Sequence, residues 1–206
     1  MTEASAEPDP WQSRHTDLPA GGPDFGRLVT AMRHLQDVVA MIAPPEDVAG
    51  AAAEDIERLA ASLEKWQVGE WDRYAGRRRD LPGRGHPLLL PFTVDERTET
   101  SVRGRVVFGT AYLGGNGAAH GGTLPLLFDE VLGIMVSTHE PPPPARTAYI
   151  TTNYRAITPV GVELRVEASI DRVDGRKRWA TGRLYDGERL VADAEGLFVK
   201  LRPGMP

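Results

Sequence analysis

The chain has no cysteine among its 206 residues. That excludes a disulfide framework, a thiolate nucleophile and any cysteine-ligated zinc or iron–sulfur centre. A basic surplus is also missing: 24 Lys and Arg stand against 29 Asp and Glu, a formal net charge of −5. The electrostatic footprint of a nucleic-acid binder is therefore absent. Long apolar runs are missing too. Leu88–Leu90 and Leu124–Phe128, the latter broken by Pro125, fall far short of the ~18–20 residues that cross a bilayer. Residues 1–10 have neither the basic start nor the apolar core of a secretory signal. The expectation is a cytoplasmic protein with no membrane span. His15, His34, His86 and His139 show no paired ligand spacing, so no metal is expected, and no Gly-x-Ser-x-Gly elbow marks a serine hydrolase.

What is present divides the chain. Residues 1–23 are polar and rich in Pro and Gly, and are expected to form a disordered tail. From Phe25 to Ile42 the apolar residues fall at helical steps, and Pro44-Pro45 end that helix. Val48, Ala52, Ile56, Leu59, Leu63 and Trp66 repeat the pattern at steps of three and four, and Trp71 and Tyr74 extend it less regularly. The spacing predicts a helical hairpin over 24–76, then a basic Gly/Pro linker over 77–87 that reads as solvated.

Beyond the linker the period switches to two. Strands are expected at Leu88–Val94 and Val102–Tyr112. They are followed by the glycine loop 114–122 and by a helix from about Gly122 to Thr138, apolar all round and ended by four prolines. A meander of about four strands closes the chain, with hairpin turns at Asp174-Gly175 and Asp186-Gly187. Strands on both sides of one wholly apolar helix predict an α+β domain over 88–206, with an antiparallel sheet wrapped around that helix. One sheet covers one helix poorly, so a second copy is expected to pair with it.

Chemistry concentrates at the glycine loop and the helix after it. The loop fits neither a dinucleotide fingerprint nor a P-loop. It offers the backbone N–H groups of Gly121 and Gly122 at a helix N-terminus, where a carbonyl oxygen or an oxyanion can approach. Asp129 and Glu130 lie within the apolar helix, and burying a carboxylate is costly unless it is paired. Adjacent helical residues point about 100° apart, so only one of the two should face a site. Arg146, Arg155 and Arg202 are read as solvated strand residues.

The segment Gly117-Ala-Ala-His120-Gly121-Gly122-Thr-Leu-Pro-Leu-Leu-Phe-Asp129-Glu130 resembles the signature of hotdog-fold thioesterases of the phenylacetate-pathway (PaaI-like) group. That signature is His-Gly-Gly with an aspartate nine residues after the histidine. Thr147 to Gly161 and Ala192 to Phe198 are similar to the family's later strands, and the resemblance covers 88–201. It implies hydrolysis of acyl-CoA thioesters by a homodimer or a dimer of dimers, without metal or organic cofactor. It makes Asp129 the base or nucleophile and Gly121 the amide that polarises the carbonyl. His120 would shape the loop, Thr147 would position water, and Gly122 and Asn116 would contact substrate. Relatives carry an asparagine six residues before the histidine; here Gly114 stands there and Asn116 is displaced by two. An acyl-thioester dehydratase or hydratase, and a non-catalytic acyl-CoA-binding scaffold built on the helical extension, are the alternatives.

One spacing constrains any such site. Gly121 and Asp129 are eight residues apart, roughly 12 Å along a helix. Both cannot reach one carbonyl from the same chain, which predicts a site shared across a twofold interface.

Overall fold

A computed structural model describes residues 21–137 and 145–202. Helix α1 (Gly22–Val39) begins earlier than its apolar pattern. Pro23 occupies the first turn, where a missing N–H leaves nothing unsatisfied, and Asp24 adds negative charge there. Gly22 and Pro23 thus belong to a helix rather than to the expected tail, with Gly21 at the helix's N-cap; residues 1–20 lie outside the described residues.

Helix α1 docks on the domain. Val29 is buried. Arg33 Nη2 donates to the carbonyls of Pro82 (3.1 Å), His86 (3.0 Å) and Leu89 (3.2 Å). The Asp37 carboxylate accepts the Ala111 N–H at 2.8 Å, and its carbonyl accepts the Thr110 hydroxyl at 2.9 Å. These bonds bend Thr110–Tyr112 into a short 3-10 turn, so the strand expected to reach Tyr112 stops at Val107.

Helix α2 (Glu46–Glu64) behaves differently. It has no buried residue, and its stripe of Val48, Ile56, Leu59 and Leu63 is exposed. Trp66, just past its end, is 72 % exposed. The two helices stand where the spacing put them but do not pack as a hairpin. Tyr74 is not part of α2; its ring meets Phe25 edge-on, with centroids 5.4 Å apart.

The expected solvated linker is instead a strap. Arg78 is 5 % exposed and grips Asp80 through two 2.7 Å bonds and the Gly22 carbonyl through one of 2.8 Å. Pro91 lacks an N–H that a strand at 88–94 would need, and pairing starts only at Thr93. Leu90 and Phe92 are nonetheless buried in the core.

Strands β1 (Thr93–Arg97), β2 (Ser101–Val107), β6 (Glu163–Asp174), β7 (Lys177–Asp186), β8 (Arg189–Lys200) and β5 (Ala145–Tyr154) form one antiparallel sheet in that spatial order. A small ribbon, β3 (Leu113–Gly115) with β4 (Ala118–Ala119), leads into α3 (Thr123–Val136). The apolar alternation of β6, β7 and β8 is the cause of the sheet's one-sided burial.

Leu124, Leu127, Phe128, Val131, Leu132, Met135 and Val136 of α3 are buried against that face. Gly182 makes the closest approach possible: a Cβ there would lie 2.8 Å from the Phe128 ring. Helix α3 is not covered all round, however. The sheet shields one side only, and Asp129 emerges on the other. The prolines expected to end this helix lie outside the described residues; the helix ends at Val136.

Candidate active site

The open face of α3 carries Asp129, with Thr147 beside it. Asp129 Oδ1 accepts the Thr147 hydroxyl at 2.7 Å. This contact depends on a bulge. On β5, Tyr154, Thr152 and Ile150 stand opposite Ala192, Ala194 and Gly196 of β8. The register then shifts between Thr147 and Tyr149, leaving Thr147 opposite buried Phe198. The extra residue reverses the alternation and turns Thr147 toward α3. Asp129 keeps its second oxygen without a partner among the described residues.

Glu130 has the opposite surroundings. Its side chain is 10 % exposed and forms a two-point ion pair with Arg84: Nε meets Oε1, and Nη2 meets Oε2 at 2.7 Å. Arg84 also donates to the Gly76 carbonyl at 2.9 Å. One residue of the basic strap therefore neutralises one of the two carboxylates. His86, in the same strap, is held below its ordinary basicity by burial first, then by Arg73 and Arg84, with Glu130 opposing them.

At the N-terminus of α3 the loop is tightly wired. His120 N–H donates to the Tyr112 carbonyl at 2.7 Å. The His120 carbonyl accepts Thr123 N–H at 2.9 Å and the Thr123 hydroxyl at 2.6 Å. Gly122 N–H donates to His120 Nδ1 at 3.1 Å, so the neutral imidazole carries its proton on Nε2. Of the two amides expected to be available, Gly122's is thus engaged. Gly121's has no partner among the described residues. His120 acts on the turn itself.

Asn116 has a structural explanation. With Gly117 it adopts positive φ (50° and 73°), the conformation of a tight hairpin turn, between β3 and β4. Gly114 admits no side chain, because a Cβ there would sit 2.7 Å from His120 Cα.

Three features were not foreseen from the sequence: the Arg84–Glu130 pair, the bulge under Thr147, and Tyr154, whose hydroxyl donates to the Gly121 carbonyl at 2.9 Å. The alternation of β5 could have put Tyr154 on the face of α3, but no local pattern announces its partner. Asn153 and Arg155, on either side, both bind the Asp193 carboxylate. The Arg155 hydrogen bond is the main cause that holds Asp193 below the usual carboxylate range. Among the described residues no cluster of His, Asp or Glu could hold a metal ion, and no helix is long and apolar enough to cross a membrane.

A six-stranded antiparallel sheet packed on one long apolar helix is the hotdog fold, and residues 116–192 match the model of the thioesterase superfamily. The fold is thus that of a hotdog domain, and the matched stretch takes in the glycine loop, α3 and the strands that follow. Among solved structures, the thioesterase superfamily protein RHA08564 is similar with a TM-score of 0.75 at 27 % identity, covering 88 % of this chain and 93 % of that one. A Pseudomonas aeruginosa protein named as an esterase, PA0474, is 41 % identical over 83 residues, which span 40 % of this chain and 62 % of that relative. The smu.793 protein of Streptococcus mutans, solved bound to acetyl CoA, shares the fold at 18 % identity and a TM-score of 0.50, covering 53 % of this chain and 88 % of that one.

Proposed function

We propose that the protein hydrolyses acyl-CoA thioesters, with Asp129 as base or nucleophile and the Gly121 amide as the donor to the carbonyl oxygen. The observation that carries this reading is that Asp129, with Thr147 bound to it, is exposed on the open side of α3, while the exposed Gly121 has an N–H with no partner among the described residues. A thioester needs little more. Its carbonyl is electrophilic and its thiolate leaves readily, so a base and an oxyanion donor suffice.

As general base, Asp129 takes a proton from water held by the Thr147 hydroxyl. The water oxygen bonds to the carbonyl carbon, the Gly121 N–H stabilises the developing oxyanion, and the carbon–sulfur bond breaks. The thiolate takes up the proton, giving free acid and thiol. As nucleophile, the carboxylate attacks first and water then cleaves the mixed anhydride. The roughly 12 Å between Gly121 and Asp129 along one helix supports a site in which Asp129 faces Gly121 of the partner subunit, in a homodimer or a dimer of dimers.

His120 is committed through Nδ1 to its own turn, which favours hydrolysis over a dehydratase pairing of histidine and carboxylate. The uncovered apolar stripe of α2 favours a second reading, an acyl-CoA-binding scaffold. A panel of short, long and aromatic acyl-CoA thioesters with thiol detection tests the proposal. Turnover of at least one by a dimeric or tetrameric protein is expected. Binding without thiol release selects the scaffold, and a strictly monomeric active protein removes the shared site.

A further inference from the structure

We infer that Tyr154 is a positioning residue that sets the Gly121 amide for its work, acting through the Gly121 carbonyl. The inference rests on the reading of Gly121 as the carbonyl donor. Two consecutive glycines are the softest stretch of backbone a chain can have. An amide that must meet a reacting oxygen gains from being fixed beforehand. The bonds of the turn show how it is fixed.

Upstream, the His120 N–H is held by the Tyr112 carbonyl at 2.7 Å and the His120 carbonyl by Thr123. Downstream, the Gly121–Gly122 peptide is held at both ends. Its N–H binds His120 Nδ1, and its carbonyl accepts the Tyr154 hydroxyl at 2.9 Å and, more weakly, Leu124 N–H at 3.3 Å. With both neighbouring groups tied, the one donor of the His120–Gly122 turn left without a partner among the described residues is Gly121 N–H. The His120, Thr123 and Leu124 bonds are local to the turn. Tyr154 reaches Gly121 from 33 residues away and, among the described residues, makes the one hydrogen bond from the glycine pair to the sheet.

Tyr154 is itself well anchored. It ends β5 opposite Ala192. Its neighbours Asn153 and Arg155 both bind the Asp193 carboxylate, and the Arg155 and Ala156 N–H groups bind the Val191 carbonyl. Alternation turns Tyr154 to the α3 side, with its ring edge against the Gly121 α-carbon. A Cβ there would lie 3.6 Å from Cε1. The ring is 58 % exposed, so deleting its hydroxyl opens no core cavity.

The test compares Tyr154→Phe and Tyr154→Leu with the parent, all as full chains. Thiol release is measured on the best substrate of the panel, together with backbone amide exchange at Gly122. For Tyr154→Phe, kcat should fall about 10- to 50-fold while KM stays within about twofold, a part of what a whole oxyanion donor supplies. Exchange at Gly122 should quicken at least about fivefold as its peptide loosens. Tyr154→Leu should match Phe in kcat. A Tyr154→Phe protein with unchanged kcat, one whose loss is carried by KM, or one with unchanged Gly122 exchange overturns the inference. A parent that cleaves no thioester removes the hydrolase reading instead, and the exchange measurement then decides the clamp alone.

Discussion

The two sides of α3 carry neighbouring carboxylates in opposite circumstances. Toward the strap, Glu130 is nearly buried and held at two points by Arg84. Toward the open side, Asp129 is exposed, bound once by Thr147, with an oxygen to spare. Nothing in the side chains themselves sets them apart. The difference comes from the roughly 100° turn between successive helical residues, which gives one to the packed strap and the other to the uncovered face. A carboxylate whose lone pairs are filled by a fixed guanidinium stabilises structure. One with a free oxygen beside a hydroxyl can accept a proton.

Breaking this contrast gives the largest effect at Asp129. Asp129→Asn should lower kcat by about 10³-fold, in the range a positioned base contributes, and leave the melting temperature nearly unchanged. Steady-state thiol release and calorimetry on the same sample check both halves. Loss of stability without loss of turnover would exchange the roles of the two residues.

The reciprocal change should be felt in stability. Glu130→Gln leaves Arg84 without its ionic partner but still hydrogen-bonded to Gly76, and Arg84 is partly solvated. A cost of about 1 kcal/mol is expected, roughly 2–4 °C in Tm for a chain of this size, with kcat within about threefold of the parent. Thermal melts would show it. A catalytic collapse here would mean that the strap side holds the chemistry.

The smallest effect sharpens the contrast by pH. Burial, Arg73 and Arg84 hold His86 below its ordinary value, so the folded state favours neutral imidazole, and Leu88 N–H donates to its Nδ1 at 3.1 Å. Below about pH 6.5 the unfolded chain takes up the proton first. The stability His86 contributes is complete above that pH and declines as pH falls from there toward the folded-state value. Melting curves between pH 8 and 5.5 should show a shallow decline that His86→Gln flattens. A slope untouched by that substitution would place the sensitivity elsewhere.

Much of the architecture was readable from local pattern. The alternation of 163–170, the turns at Asp174-Gly175 and Asp186-Gly187, and the apolar run after His120-Gly121-Gly122 each report a period or a turn preference. Errors came where a distant group overrode that pattern. Asp37 on α1 bends Thr110–Tyr112 out of the strand. Pro91 strips a donor from an apolar segment whose Leu90 and Phe92 are buried all the same. Arg78 and Arg84 read as solvated until Asp80, Gly22 and Glu130 come to meet them.

Helices α1 and α2 show the same limit most simply. Their apolar stripes look alike in the sequence, yet α1 is docked by Arg33 and Asp37 while α2 stands uncovered. A stripe records that a partner surface is needed and carries no information about which one.

The sequence by itself determined the helix that bears Asp129, the glycine turn before it and the strands around it. Each is set by preferences acting over a few residues. Tertiary structure alone decided which carboxylate is neutralised, that a bulge turns Thr147 onto Asp129, and that Tyr154 holds Gly121. Those facts join residues 18 to 46 positions apart, and side-chain periodicity has no term for a contact whose two halves lie on different elements.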